Sequence, residues 1–244
     1  MQERARRRDA GMLQVTERDI LALTWIAEQY CMSYDQLQRL LALLSPATPK
    51  RPEKVAPSTA QNAVERWLQL GYIDLPHKVI REHSTYVWLS RKGLRELALP
   101  YAYYQPKPST VRHLYAVNTI RLHLQRAALS IEWNAQRAIR LHTKERPLPD
   151  AELRGRSSPL IALRVIEQPR LTMLMLQDEL TTVKALASRY PRLWYFVPAQ
   201  VQEPLLTAIR QHEGSGYVSQ SSHGLLSDYI VWYSLEAQQI ARQE

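Results

Sequence analysis

The sequence predicts a two-part α+β chain: a small unit of three helices closed by a β-hairpin, then an α/β unit built on a mixed sheet. Three observations carry this. Polar N-cap residues precede helical apolar patterns at Thr16, Ser33 and Ser58. Two strand-like runs separated by a short turn follow Gly71. Beyond a proline-bearing stretch at 99–109, short apolar runs alternate with helical patterns, the order that gives a sheet flanked by helices.

Thr16 is a good N-cap, and Glu17 and Asp19 put negative charge at the positive end of the helix dipole. Ile20, Leu23, Ala27 and Tyr30 recur at helical spacing and predict one buried stripe. Ser33 opens a second helix with a capping box to Gln36, and Leu37, Leu40, Leu41 and Leu44 form its core face. Pro46, Pro49, Pro52 and Pro57 forbid a helix across 45–57, while Lys50, Arg51 and Lys54 make that loop basic. A third helix is expected from Ser58, with a capping box to Gln61, as far as Gly71, which suits a left-handed terminus. Ala60, Val64, Trp67 and Leu68 should face inward, leaving Thr59, Gln61, Asn62, Glu65, Arg66 and Gln69 outside. Residues 72–75, running on toward Val79 and Ile80, and residues 85–89 then form a hairpin around 82–84. Three helices and a hairpin are in the winged-helix order, a helix-turn-helix variant. A short helix follows from Ser90.

The second part begins with a helix from Thr110 to about Ser130. Strands are expected at 131–133, 138–141, 151–153, 160–166, 193–197 and 229–233. The continuous apolar run 193–197 reads as a buried central strand. Helices are expected at 171–189, with Met173, Leu176, Leu180, Val183 and Ala187 inward, and at 201–212. The predicted boundaries are therefore a basic arm at 1–14, a winged helix at 15–98, a linker at 99–109, an α/β domain at 110–236 and a polar tail at 237–244.

The formal net charge is +9 and the sequence pI about 9.7. Residues 1–112 hold 17 Lys+Arg against 11 Asp+Glu, and the remainder 15 against 12. The excess sits toward the N-terminus and favours a polyanionic partner, because neutralised phosphates release counterions. Cys31 is the one cysteine, so no intrachain disulfide can form, and a buried thiol in a reducing cytoplasm is expected. No apolar run reaches the roughly 18 residues a membrane span needs, and the arginine-rich start is not read as a secretory leader. Neither the seven histidines nor the cysteine show zinc spacing, and no phosphate-cradling glycine loop or nucleophile elbow is present. Neither a metal nor a cofactor is expected.

The third helix is the sharpest candidate for function. Gln61, Asn62 and Arg66 are side chains able to pair with base edges in a major groove. Ser58 and Thr59 lie at the helix N-terminus, which favours phosphate. Lys78 and Arg81 in the hairpin, and Arg91 and Lys92 just after it, would add phosphate contacts. The expected partner is double-stranded DNA. A homodimer would match an inverted-repeat site, since protein symmetry mirrors operator symmetry.

Residues 15–21 (VTERDIL) and 63–73 (AVERWLQLGYI) resemble segments of the replication-relaxation proteins of plasmids and other mobile elements. Residues 89–94 (LSRKGL), 113–118 (HLYAVN) and Pro149-Asp150-Ala151 are similar too, in the same order and spacing. The resemblance covers most of 15–200. It implies a winged helix joined to a degenerate restriction-endonuclease-like core. It also implies a role in replication, DNA relaxation or transfer, or transcription control, with a replication or transfer protein as a further candidate partner.

By the same resemblance, a nuclease would hold Mg²⁺ with Asp150 and an acid on the next strand, with a lysine two residues on. This chain has Arg164 at the acid position and Ile166 at the lysine position. Glu167 is nearby but out of register, and Glu152, on the same strand face as Asp150, is the one substitute. Asp150, Glu152 and Glu167 are thus weak catalytic candidates, and an inactive scaffold is the expectation. The alternatives to a DNA-binding protein are a metal-dependent nuclease and a protein-interaction adaptor.

Overall fold

In the computed structural model the chain divides into two compact units between Pro106 and Lys107. Residues 14–45, 52–127, 131–155, 159–214 and 225–235 are described. The expected basic arm through residue 13, the loop residues Lys50 and Arg51, and the expected polar tail lie outside them. The fold class is α+β, with a five-stranded mixed sheet in the second unit. Among the described residues no helix is long and apolar enough to cross a membrane.

In the first unit α1 (Glu17–Glu28) opens on a complete capping box. The Thr16 hydroxyl accepts from the Asp19 N–H, and the Asp19 carboxylate accepts from the Thr16 N–H at 2.9 Å. The expected buried stripe is corrected: Ile20 is 44% exposed, and Leu23, Ile26, Ala27 and Asp19 face inward. Asp19 is the cause, because its carboxylate also binds two side chains of the third helix. Tyr30, expected on that stripe, lies past the helix end with φ 70°. β1 (Met32–Ser33) leads into α2 (Tyr34–Leu43), whose Leu37, Leu40 and Leu41 are buried. Ser33 holds the N-cap position but makes no side-chain cap, because it belongs to a strand pair.

α3 (Pro57–Gln69) starts one residue earlier than expected, with Pro57 in its first turn and Ala56 at the N-cap position. Proline lacks only a donor that a first turn leaves unpaired anyway, so no box between Ser58 and Gln61 is needed, and none forms. Ala60, Ala63, Val64 and Trp67 are buried, whereas Leu68, expected inward, is 37% exposed. Gly71 takes φ +72° just beyond the helix.

The two runs after Gly71 form no regular ladder and pair through single antiparallel bridges, Ile73 with Leu89 and His77 with Tyr86. Pro76 interrupts the first run, since it has no N–H for a ladder. The regular strand β2 (Tyr86–Val87) pairs instead with β1. α4 (Arg91–Glu96) is capped by Ser90, whose hydroxyl accepts from the Gly93 N–H at 2.9 Å. Gly93 lies against the Tyr72 backbone so closely that a Cβ would stand 2.0 Å from the Tyr72 carbonyl oxygen.

The second unit runs α5 (Pro108–Ala127), β3 (Glu132–Ala135), α6 (Gln136–His142), β4 (Ala151–Arg154) and β5 (Ile161–Val165). α7 (Met173–Ala187), β6 (Arg192–Val197), α8 (Ala199–Gly214) and β7 (Ile230–Ser234) follow. The sheet order is β3-β4-β5-β6-β7. β3, β4 and β5 are antiparallel, while β5, β6 and β7 are parallel. α7 and α8 make the crossovers that parallel pairing requires. Residues 138–141, expected as a strand, belong to α6, a correction consistent with the helix-forming Gln, Arg, Ala and Leu around Ile139.

Side chains alternate across the sheet. Leu163, Val165 and Phe196 pack in one core with Val117, Ile120 and Leu124 of α5. Ala162, Tyr195 and Val197 pack in another with Val183 and Leu186 of α7 and Leu205 and Ile209 of α8. Met173, expected inward, is 72% exposed at the start of α7.

Candidate functional site

The first unit holds α3 by an ion pair to a buried carboxylate. Nη2 of Arg66 lies 2.6 Å from Oδ1 of Asp19, and Nε1 of Trp67 donates to the same oxygen at 3.0 Å. The other oxygen, Oδ2, accepts from the Thr16 backbone and hydroxyl. Burial pushes the Asp19 pKa up, but the bonds from Thr16, Arg66 and Trp67 outweigh it and hold the carboxyl below its ordinary range. Arg66, expected to read bases, is therefore committed to α1.

The outer side of α3 is different. Ser58, Gln61, Asn62, Glu65 and Gln69 are exposed, and none bonds through its side chain to another described residue. Thr59 is half-buried. An open cleft of about 370 Å³ runs beside the helix, lined by Gln61, Glu65, Leu68, Pro76, Ser84 and Thr85 among others. The loop between His77 and Tyr86 thus starts and ends against the outer side of α3. Lys78 and Arg81 are exposed on that loop.

Arg91 and Lys92 have structural partners. The Arg91 guanidinium stands 4.5 Å from the centre of the Tyr103 ring, a cation–π contact. Nζ of Lys92 donates to the Leu70 carbonyl at 2.7 Å, satisfying an acceptor that the end of α3 leaves open. Both side chains remain exposed.

The second unit buries an ionic cluster. Oδ1 of Asp150 lies 2.9 Å from Nε2 of His113 on α5. Oδ2 accepts from the Val165 N–H at 2.8 Å and stands 3.4 Å from Nη1 of Arg164. Arg164 also reaches Glu179 of α7, Nη2 to Oε2 at 2.9 Å, and the Tyr195 hydroxyl donates to Oε1 of that glutamate at 2.8 Å. Nδ1 of His113 meets Oε2 of Glu167 at 3.2 Å. Two cations, from His113 and Arg164, are thus interleaved with three carboxylates.

No family model, curated protein or solved structure matches the chain. Glu152, the expected substitute ligand, is not brought to Asp150: it accepts instead from Tyr190 at 2.6 Å and from Asn134 at 2.8 Å. Glu167, expected out of register, does join the cluster through His113. Among the described residues no group of three or more His, Cys, Asp or Glu is arranged to hold a metal ion. Both Asp150 oxygens are already occupied by protein donors.

Sequence reasoning missed His113, Glu179, Tyr195 and the structural role of Arg164. A signal was present. Glu179 lies on the helical stripe of Leu176, Val183 and Leu186, and Arg164 interrupts an apolar strand. A charge at such a position is buried, and a buried charge needs a partner.

Burial pushes the His113 pKa down, but the Asp150 and Glu167 carboxylates outweigh it and raise it to about 10. The ordinary value is 6.5, so the histidine is protonated in the folded state and largely neutral when unfolded above pH 7. Its stabilisation is full below pH 6.5 and is lost as pH rises toward 10. Urea midpoints of the protein and of His113→Gln should therefore converge between those pH values. A gap that stays constant across that range contradicts this assignment.

Proposed function

We propose that the N-terminal unit is a winged-helix module that binds double-stranded DNA, with α3 in the major groove and the 78–85 loop as its wing. The observation that carries this reading is the row of unpartnered polar side chains on a helix whose flank is pinned by the ion pair of Arg66 with the buried Asp19. The helix backbone is already ordered, and side chains free of internal bonds break none on meeting a groove. Lys78 and Arg81 sit where they can neutralise phosphates beside that groove, and the net charge of +9 favours approach to a polyanion.

For the second unit, the reading is a restriction-endonuclease-like core that serves as a scaffold, with His113 and Arg164 supplying the positive charge that Asp150 would otherwise share with a metal ion. A guanidinium in contact with that carboxylate repels a divalent cation. The resemblance to replication-relaxation proteins supports service on a plasmid or other mobile element, in replication, DNA transfer or transcription control. A homodimer would present two such helices to an inverted repeat.

Titration of a labelled duplex at several salt concentrations tests the reading. The protein should bind with a steep salt dependence, and Lys78→Ala/Arg81→Ala should flatten the log–log slope by about 1–2, roughly one phosphate contact per residue. Absence of duplex binding even at about 50 mM salt would sink it.

A further inference from the structure

We infer that α3 reads adenine, not guanine, so that the bound duplex carries an A·T pair where Gln61 and Asn62 meet the groove. This rests on the DNA-binding reading above and deepens it.

Guanine presents two acceptors, O6 and N7, in the major groove, and an arginine or lysine meets them best. Arg66 is the one basic residue in α3. Its guanidinium is held 2.6 Å from the buried Asp19 carboxylate on the side of the helix that packs against α1. Turning it outward would leave that carboxylate buried without a counter-charge. The helix therefore meets a groove with no free cation of its own.

What it does present are amides. Gln61 and Asn62 are exposed in the first two turns, and their side chains are unbonded to any described residue. An amide offers one acceptor and one donor in a fork, which matches the N6 donor and N7 acceptor of adenine. Arginine withdrawn and amides forward together select A·T over G·C where Gln61 and Asn62 meet the groove.

Selection from a random duplex library by the full chain, followed by sequencing, tests this. The expected result is an enriched A·T pair whose preference falls roughly tenfold in Gln61→Ala or Asn62→Ala. Asn62→Arg should convert the preference at its position to G·C, a gain that misfolding cannot produce. Enrichment of a G·C pair that those alanine variants abolish overturns the inference, as does duplex binding with no base preference, which would leave the DNA-binding reading intact. Failure to bind any duplex overturns that reading and this inference with it.

Discussion

Replacing Arg164 with alanine should destabilise the second unit by about 3–5 kcal/mol, the usual cost of removing one partner from a buried ion pair. The guanidinium is the counter-charge for two carboxylates at once, Asp150 at 3.4 Å and Glu179 at 2.9 Å. Both are buried, and neither can regain water without parting β4 from β5 or lifting α7. Burial alone would lower the Arg164 pKa, but these two carboxylates raise it above its ordinary value, so the group stays charged. Arg164→Lys keeps the charge but loses the fork that spans both acids, and should recover only part of the loss. Combining Arg164→Met with Glu179→Gln should cost less than the two single changes added together, because the second removes a charge that the first orphaned. Urea unfolding followed by tryptophan fluorescence, with Trp133 and Trp194 reporting on this unit, measures all of these. An Arg164→Ala loss under about 1 kcal/mol would mean the pair is not desolvated as described.

Asp19→Ala should be comparably severe in the first unit, again about 3–5 kcal/mol. One carboxylate accepts from Arg66, from the Trp67 indole and from the Thr16 backbone and hydroxyl. Its loss strands a guanidinium, leaves an indole donor without its acceptor and removes the return half of the α1 capping box. Asp19→Asn keeps an acceptor for Trp67 but loses the charge, so it should fall between. Arg66→Met in the alanine background should recover stability, since the unpaired cation is then gone. The same variants carry a functional readout. On the proposed DNA-binding reading, α3 would no longer be pinned, so duplex binding should weaken in Asp19→Ala although that residue is buried. Hydrogen exchange along α3, compared between the protein and Asp19→Ala, measures the loosening directly. Unchanged protection of 57–69 would rule out the pinning role.

Much of the fold was legible because its causes are local. Thr16, Ser90 and Gly71 announced helix ends through chemistry that acts within three residues. Strands β4, β5 and β6 followed from short apolar runs, and α7 from its 3.6-residue period. Residues 138–141 misled because four apolar and basic residues fit a strand or a helix equally well, and only the surrounding chain decides. The hairpin after Gly71 misled for another reason. Tyr86 and Val87 found their regular partner in Met32 and Ser33, more than fifty residues earlier, a choice that no window of sequence contains.

The candidate site divides along the same line. The sequence by itself determined which residues were polar, basic or capping, and hence that α3 would have one apolar side and one polar side. It determined that Asp150 would stand at the start of a strand and Arg164 within the next. Only the tertiary structure decided what those charges do. Arg66 lies on the boundary between the two sides of its helix, and the position of Asp19, 47 residues away, turns it inward. His113, Asp150, Arg164 and Glu179 come from four separate parts of the chain and meet only because strands and helices stack in one order. Helix and strand follow from forces that act over a few residues, whereas a buried charge takes its role from whichever opposite charge the packing brings within reach.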